Sequence, residues 1–168
     1  IMKSIPSAGS LNVPEESRIT IEFSEWISPE NAADNIVIFP TLKEGFSVRV
    51  RGNDLTVIPD APLEDSITYH LILNSDLTDV HNVKMDNSVD IYFSTGPVLD
   101  SSTIYGCIRD SVIDLKERYK IGLFRHTGND FHDSLLLAKP DYMIQSDSAG
   151  NFIFSNISDG RYVIAGFS

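Results

Sequence analysis

Apolar residues alternate with polar ones in many short runs along the chain, and almost nowhere do they recur at helical spacing. In residues 18–23, for example, Ile19, Ile21 and Phe23 fall on one side of an extended chain and charged or hydroxyl side chains on the other. This period of two is typical of a strand with one buried face. Further runs of this kind are 36–39, 46–50, 55–58, 68–73 and 89–93. The pattern predicts a nearly all-β protein.

Turn-forming residues separate these runs at intervals of about 8 to 12 residues, which is the spacing of an antiparallel β-sandwich. The clearest turn is Arg51-Gly52-Asn53-Asp54, because glycine and asparagine adopt positive φ at low cost. It predicts a hairpin between the runs 46–50 and 55–58. One short helical turn is predicted over 28–34, with Ser28 as its cap and Pro29 at its first position.

The strand pattern pauses at Thr95-Gly96-Pro97 and the polar residues 100–102, which is typical of a linker between domains. It then resumes in the runs 104–108, 119–124, 142–145, 152–154 and 162–167. The longer polar connection from Arg125 to Asp141 contains Leu135-Leu136-Leu137, a candidate extra edge strand. We therefore expect two different sandwiches in series, over residues 1–97 and 98–168, the second of them incomplete.

The composition is that of a folded, acidic protein. Hydrophobic residues make up 42% and charged residues 22% of the chain, which is enough apolar surface for packed cores. The net charge of -11 repels phosphate backbones, so we predict no nucleic-acid partner. No apolar run approaches the roughly 20 residues of a membrane helix, so we predict no membrane insertion by this part of the chain. Residues 1–97 hold 6 basic and 15 acidic side chains, so most of the net negative charge lies in the first half of the chain.

The only cysteine, Cys107, has no partner for an internal disulfide, so packing and hydrogen bonds must hold both domains. Because Cys107 lies in the run 104–108, we expect it to be a small core residue. Ile1 precedes Met2, and the chain stops within the apolar run 162–167. From these two ends we expect a segment excised from a longer protein.

No set of residues has catalytic spacing. Serine, histidine and aspartate are all present, but no Gly-x-Ser-x-Gly surrounds a serine. His70 alternates with Tyr69 and Leu71 on a predicted strand, where a solvent-facing or edge position explains it. The carboxylate pairs Glu15-Glu16 and Glu64-Asp65 lie in turn-like segments, and solvation of a loop accounts for them better than glycosidase chemistry does. We predict no catalytic residue and no enzymatic activity.

Two kinds of metal site have to be considered, a zinc site and a calcium site. The four histidines, His70, His81, His126 and His132, show no zinc-ligand spacing. His126 and His132 share a polar loop with Asp130 and Asp133. Calcium is the more serious alternative, because oxygen ligands are dense in 76–79 and 147–151. Aspartate and asparagine beside glycine also form tight turns through backbone hydrogen bonds, which accounts for these segments. We predict no metal and no cofactor.

The aromatic residues raise the question of a sugar-stacking platform. Most of them lie inside strand runs and should fill cores: Tyr69, Tyr92, Tyr105, Tyr119, Tyr142 and Tyr162. Trp26 comes just after Phe23-Ser24-Glu25 and is the best candidate for an exposed ring, which would present its apolar face to a ligand.

Four segments of the first half stand in a recognisable order: Ile5-Pro6-Ser7-Ala8-Gly9-Ser10 with Val13, Ile19-Thr20-Ile21-Glu22-Phe23-Ser24-Glu25, Leu55-Thr56-Val57-Ile58-Pro59 with Leu63 to Tyr69, and Ile91-Tyr92-Phe93-Ser94-Thr95-Gly96. Together they resemble the bacterial Ig-like domain of S-layer and other envelope proteins, over residues 3–97. One departure is Asp79-Val80-His81-Asn82, where the family usually has Asp-x-x-Gly-Asn. His81 replaces the glycine, so we expect the turn to differ there.

The second half carries Ile104-Tyr105-Gly106-Cys107-Ile108-Arg109-Asp110, Ser146-Asp147-Ser148-Ala149-Gly150-Asn151-Phe152-Ile153-Phe154 with Ile157, and Gly160-Arg161-Tyr162. These segments resemble the carboxypeptidase-regulatory-like, or transthyretin-like, sandwich that is often appended to bacterial surface proteins. In such families the module is a spacer, a stabiliser or a binding surface and carries no peptidase chemistry.

The two resemblances imply consecutive antiparallel β-sandwiches, the first immunoglobulin-like and the second transthyretin-like (prealbumin-like). They imply a non-catalytic structural or adhesive module of a secreted or surface-anchored, for instance lipid-anchored, bacterial protein, located outside the cell or in its envelope. The alternatives are a carbohydrate- or protein-binding domain that uses Trp26 and the connection 125–141, and an accessory domain of a larger extracellular enzyme. The expected partner is an unidentified protein or carbohydrate.

Overall fold

The computed structural model describes residues 1–109, 119–126, 139–147 and 149–167. Within these ranges it contains twelve β-strands and one three-residue 3-10 turn, so the all-β prediction is confirmed. The chain divides into two compact units, Ile1–Leu99 and Asp100–Ser168. Each unit is described by itself.

The first unit contains seven strands: β1 (Lys3–Ile5), β2 (Ile19–Glu22), β3 (Ile36–Phe39), β4 (Phe46–Arg51), β5 (Asp54–Pro59), β6 (Thr68–Leu73) and β7 (Val89–Ser94). They form two antiparallel sheets with the orders β1-β2-β5-β4 and β3-β6-β7. If the strands are lettered A to G along the chain, these orders read ABED and CFG. That arrangement is the strand order of a constant-type immunoglobulin sandwich.

The hairpin predicted around Gly52 is confirmed. Strands β4 and β5 pair with Arg51 opposite Asp54, and Gly52 takes a φ of 63°. Asn53 contributes differently from the prediction, because its side-chain Nδ2 donates to the Phe23 carbonyl oxygen at 3.0 Å. The turn is therefore tied to the segment that follows β2.

The predicted helical turn at 28–34 is displaced toward its C-terminal end. The structure has a 3-10 turn over Ala33–Asn35, preceded by Ala32 without a side-chain cap. Ser28 is not the cap, because Ala32 occupies that position. The backbone N–H of Ser28 donates to the Thr78 carbonyl oxygen at 3.0 Å, so Ser28 belongs to the connection before the turn.

Residues 9–13 connect the two sheets of the first unit. After β1, which pairs with β2, the chain crosses to the other sheet and runs parallel to β7 at Ser10 and Phe93. The Gly9 N–H donates to the Tyr92 carbonyl oxygen at 2.7 Å, and the Val13 N–H donates to the Ser94 carbonyl oxygen at 3.0 Å. The outer edge of β7 is therefore covered by the chain itself.

The core of the first unit lies between the two sheets. Its fully buried side chains come from both of them and from one loop, and they are Ile19, Ile21, Leu55, Val57, Leu71, Leu73, Leu77 and Phe93. Burial of one such side chain contributes about 1.5 to 3 kcal/mol. The apolar side chains at every second position of the predicted strands are thus the ones that are buried and stabilise the sandwich.

His70 does not occupy the solvent-facing or edge position predicted for it. Strand β6 is the central strand of its sheet, between β3 and β7, and His70 is only 6% exposed. Its Nδ1 lies 2.9 Å from Oδ2 of Asp90 on the neighbouring strand. The prediction was wrong because strand order decides burial on the outer face of a sheet, and a local pattern does not contain that order.

The second unit contains five strands: β8 (Ser102–Cys107), β9 (Lys120–Arg125), β10 (Tyr142–Gln145), β11 (Asn151–Ile157) and β12 (Tyr162–Phe167). Their antiparallel sheets have the orders β10-β9-β12 and β11-β8. The buried apolar side chains are Ile121, Leu123, Phe124, Tyr142, Phe154 and Ile157. The extra strand predicted at 135–137 lies outside the described residues.

Two predictions for β8 are wrong, because Cys107 and Tyr105 point outward. Cys107 is exposed, and Tyr105 is 81% exposed. In the register with β11, Ile104 pairs with the buried Phe154, so the alternate positions face solvent. Residues 104–108 are all apolar or small, and alternation alone did not determine which side faces the core.

The hydroxyl of Tyr69 makes a hydrogen bond that is typical of immunoglobulin-like sandwiches. It accepts a hydrogen bond at 2.9 Å from the N–H of Glu64, just before β6, which is the arrangement of a tyrosine corner. We expect Tyr69→Phe to lower the free energy of unfolding by about 1 to 2 kcal/mol, because that N–H loses its acceptor in a partly buried site. Urea unfolding followed by tryptophan fluorescence measures this.

The matched control is Tyr92→Phe, because the Tyr92 hydroxyl has no hydrogen-bond partner within the described ranges. We expect a change within about 0.5 kcal/mol there. Equal losses in the two variants would contradict a specific role for the corner.

Candidate functional site

Trp26 lies in a short extended segment between two turns of the first unit. On one side, the N–H of Ile27 donates to the Gly52 carbonyl oxygen at 2.9 Å. On the other side, the N–H of Val80 donates to the Trp26 carbonyl oxygen at 3.1 Å. Ile27 is buried in the core, so the alternation of the strand sends the Trp26 side chain outward.

The Trp26 ring is exposed, as the sequence predicted. The residue is 66% exposed, and its ring lies against the turn at Gly52, where an added methyl group would be 3.7 Å from Trp26 Nε1. Val80, which is also exposed, neighbours it. One side of the indole is thus supported by backbone while the ring remains largely accessible, an arrangement suited to stacking on an apolar surface.

A shallow cleft of about 410 Å³ lies beside this segment. Its apolar lining includes Phe23 and Leu77, and its polar lining includes Glu25, Asp79 and Asp86. The cleft therefore combines a small apolar floor with a mostly acidic rim. Its lining residues include one serine, Ser24, and no histidine.

Asp79 has its carboxylate engaged within its own turn. Oδ1 accepts hydrogen bonds at 2.8 Å from the N–H groups of His81 and Val83, and Oδ2 lies 3.6 Å from His81 Nδ1. The hydrogen bond from Val83 is the largest cause of a lowered pKa of Asp79, and the one from His81 acts in the same direction against the opposing effect of burial. The carboxylate is therefore ionised at neutral pH and fixes the turn.

The turn at Asp79–Asn82 forms without glycine at position 81. Asn82 takes the left-handed conformation, with a φ of 63°, and its N–H donates to the Asp79 carbonyl oxygen at 3.1 Å. Asparagine tolerates this conformation better than most residues do. The His81 side chain is exposed at the surface.

The two segments considered for calcium use their carboxylates in other contacts. Asp76 Oδ1 lies 2.6 Å from Lys84 Nζ. Asp147 Oδ1 accepts from the N–H groups of Ala149 and Asn151 at 2.9 and 2.8 Å. The Asn151 side chain, through its hydrogen bond to Oδ2, is the first cause of a lowered pKa of Asp147. In the part of the chain that the structure describes, no three histidine, cysteine or carboxylate side chains are grouped to hold a metal ion.

Glycine is required in the second of these turns. Gly150 has a φ of 83°, and an added methyl group would lie 2.4 Å from the Ile108 carbonyl oxygen. The Ile108 N–H in turn donates to the Gly150 carbonyl oxygen at 2.9 Å. The turn thus packs directly on the end of β8, which is a structural use of the sequence Asp147 to Asn151.

The remaining predicted loop residues are only partly described. His126 donates its backbone N–H to the Arg161 carbonyl oxygen at 2.8 Å. His132, Asp130 and Asp133 lie outside the described residues. Glu15, Glu16, Glu64 and Asp65 are exposed, as expected of solvated turns.

A polar cluster around Ser158 in the second unit was missed by the sequence reasoning. Arg125 Nη2 donates to Ser158 Oγ and, at 3.0 Å, to the Asp159 carbonyl oxygen. Ser158 Oγ lies 3.1 Å from the Tyr142 hydroxyl and 2.9 Å from the Tyr162 hydroxyl. The neighbouring segment Gly160-Arg161-Tyr162 was used only as part of the transthyretin-like resemblance.

The Ser158 cluster is built for structure and lacks the parts of a nucleophile site. Burial is the first cause of a raised pKa of Tyr142, and the hydrogen bond to Tyr162 is the first cause of a raised pKa of Arg125. The partners of Ser158 Oγ in the described ranges are an arginine and two tyrosine hydroxyls. None of these accepts the serine proton at neutral pH, so they do not activate the hydroxyl.

The strand orders ABED and CFG and the tyrosine corner define the first unit as an immunoglobulin-like sandwich. A family model described as "Bacterial Ig-like domain" matches residues 1–95, and the chain belongs to this family. The comparisons with curated proteins and with solved structures give no match. Among the residues described, no helix has the length and hydropathy needed to cross a membrane.

The lowered pKa of Asp79 makes a pH-dependent prediction. The pKa of the Asp79 carboxyl in the folded protein lies below its ordinary value of 3.8. The ionised carboxylate therefore stabilises the folded state at pH values above 3.8, and this stabilisation is lost as the pH falls through the pKa of the folded state. We expect Asp79→Asn to lower the Tm at pH 7 and the difference from the wild type to shrink toward low pH. Thermal unfolding followed by circular dichroism across this range measures it.

Asp86→Asn is the matched control, since Asp86 lines the same cleft and no hydrogen bond to its carboxylate is seen in the described residues. It should change the Tm little at any pH. A constant difference between Asp79→Asn and wild type from pH 7 down to low pH would show that the carboxylate charge is not what holds the turn.

Proposed function

We propose that the chain is a non-catalytic structural or adhesive module of a secreted or cell-surface bacterial protein. Membership of the bacterial Ig-like domain family supports this, since such domains commonly occur in extracellular and surface proteins. The observation that carries the proposal is the dispersal of reactive side chains. In the first unit His70 is bonded to Asp90 and Asp79 to its own turn, and in the second unit Ser158 is bonded to an arginine and tyrosines.

We propose further that residues 98–168 form a carboxypeptidase-regulatory-like, transthyretin-like sandwich that extends the first domain, residues 1–97. The support is a second compact unit with two antiparallel sheets, β10-β9-β12 and β11-β8. The Asp147 turn, with Gly150 packed on β8, lies in the segment that carries the resemblance. Such a unit suits a spacer, or an accessory domain of a larger extracellular enzyme.

The absence of catalysis is tested by assaying the purified chain against a broad panel of hydrolase substrates. We expect no turnover above that of a heat-denatured sample. Ser158→Ala and Asp79→Asn are the informative variants. They remove the hydroxyl and the carboxylate that hydrogen bonds hold in a fixed position, which a catalytic group would require. Turnover that one of these substitutions abolishes, in a variant that still folds, would overturn the proposal.

A carbohydrate-binding module is the second candidate, favoured by the supported and exposed ring of Trp26. The first unit is strongly acidic, so a neutral sugar fits this surface better than an anionic one. Sugar rings present apolar C–H faces that stack on an indole, while the polar groups of Glu25 and Asp79 lie in the adjoining cleft. The connection 125–141, which the sequence also suggested, lies mostly outside the described residues.

A glycan array with neutral and anionic members tests this second candidate. We expect binding confined to neutral glycans and at least about tenfold weaker for Trp26→Ala, which corresponds to the loss of one stacking contact. Tyr105→Ala is the matched control, because Tyr105 is an aromatic residue of the other unit that is even more exposed than Trp26. A blank array, or equal losses for both variants, would reject Trp26 as the binding residue.

A further inference from the structure

The cleft of about 410 Å³ in the first unit has walls of hydrogen-bonded backbone. Residues 77–85 form a short hairpin in which Thr78 pairs with Lys84. The antiparallel pair of Ile27 and Asp79 joins this hairpin to the segment that follows β2. The volume is within the range of ligand-binding clefts, roughly 300 to 1,000 Å³. Walls that are fixed in advance lose little conformational entropy when a ligand binds.

Three acidic side chains line this cleft without a lysine or arginine partner among the described residues. They are Glu25, Asp79 and Asp86. The only lysine or arginine among the lining residues is Lys84, and its Nζ donates to Oδ1 of Asp76 at 2.6 Å. Because Asp76 does not line the cleft, the positive charge of Lys84 is neutralised outside it. The cleft therefore keeps a negative charge.

Two of these acidic side chains contact each other. The Asp79 side chain is only 10% exposed, and the Glu25 carboxyl is its hydrogen-bonding neighbour. The nearest cationic group described for Asp79 is the imidazole of His81, whose Nδ1 is 3.6 Å away and whose side chain is 82% exposed. Ionised carboxylates in contact repel each other, and partial burial strengthens the repulsion. A cation from another molecule, placed between Glu25 and Asp79, would be attracted by both.

The rest of the lining favours an organic cation over a metal ion. Val83, Met85 and Val89 line the same cleft and are exposed or half-buried. Calcium takes six to eight oxygen ligands, and no such group is formed by the described residues. Lysine and arginine combine an apolar stem with a cationic head. Arginine fits paired carboxylates better, because its planar guanidinium donates in a fork.

We propose that this cleft binds an arginine-containing segment of a partner protein, with the guanidinium between Glu25 and Asp79 and the aliphatic stem against Val83 and Met85. Charge complementarity identifies the partner as basic, since residues 1–97 hold 6 basic and 15 acidic side chains and attract cationic molecules from a distance. The exposed apolar rim at Val83 gives the residues that flank the arginine a surface to contact. The inference rests on the adhesive role proposed above and names the class of its partner.

A nuclear magnetic resonance titration with a defined peptide tests this binding. The probe is acetyl-Gly-Ser-Leu-Arg-Leu-Ser-Gly-amide, and the same peptide with citrulline in place of arginine is the isosteric neutral control. We expect the arginine peptide to shift the amide signals of Glu25 and of residues 78–86 in a saturable way. The citrulline peptide should bind at least about tenfold more weakly, because it lacks the charge.

Glu25→Gln separates a role in binding from a role in folding. We expect it to weaken binding of the arginine peptide at least about tenfold. It should not lower the Tm, because it removes the repulsion of Asp79. Glu30→Gln is the matched control, since Glu30 is an exposed acid of the same unit that does not line the cleft. It removes the same formal charge and should change the affinity less than about twofold.

Trp26→Ala distinguishes the cleft from the indole surface considered for neutral glycans. Trp26 is not among the residues that line the cleft, so the variant should retain the affinity for the arginine peptide. Equal binding of the arginine and citrulline peptides, or equal losses in Glu25→Gln and Glu30→Gln, would overturn the proposed site. Amide signals of the cleft that do not move would also overturn it, and the non-catalytic assignment, which the substrate panel tests separately, would stand.

Discussion

The packing of two apolar sheet faces without a covalent link is the constraint on which the immunoglobulin-like unit depends. Ile21 on β2 and Leu71 on β6 are fully buried on opposite sheets. Leu71 stands two residues after the corner tyrosine, Tyr69, where antibody domains have the second cysteine of their inter-sheet disulfide. The only cysteine of this chain lies in the other unit, so burial and the hydrogen bond of the tyrosine corner hold this one together.

One type of turn accounts for two of the polar residues considered as candidate ligands, Asp79 and Asp147. In both Asp79 and Asp147 the carboxylate accepts from the N–H groups two and four residues further on. The amide dipoles stabilise the ionised form, which lowers both pKa values. Because the oxygens satisfy the backbone of tight turns, clusters that look like calcium ligands in the sequence serve the connections between strands.

The sequence determines where strands lie better than which side of them is buried. The runs 68–73, 142–145 and 162–167 were predicted with the bounds they have in the structure, because a period of two or a short apolar run is a local property. Burial on the outer face of a sheet depends on its neighbours, which is why His70 on the central strand was misplaced. In 104–108 every side chain is apolar or small, so only the register with Phe154 selects the inner face and leaves Tyr105 outside. Trp26 was identified as the best candidate for an exposed ring, and its neighbour Ile27 takes the buried position.

The strand edges show how charge limits association of this molecule with itself. Edge strand β4 exposes Arg49 and Arg51, so pairing two copies there would place like charges side by side. Edge strand β7 is covered by residues 9–13 of its own chain. Strand β8 has neither protection in the described ranges, and its outward neighbours are a tyrosine and an isoleucine rather than ions. Strand β12 is likewise an edge of its sheet in the described ranges and contains no ionisable side chain apart from the Tyr162 phenol, so the edges of the second unit are not protected by charge in the way that β4 is.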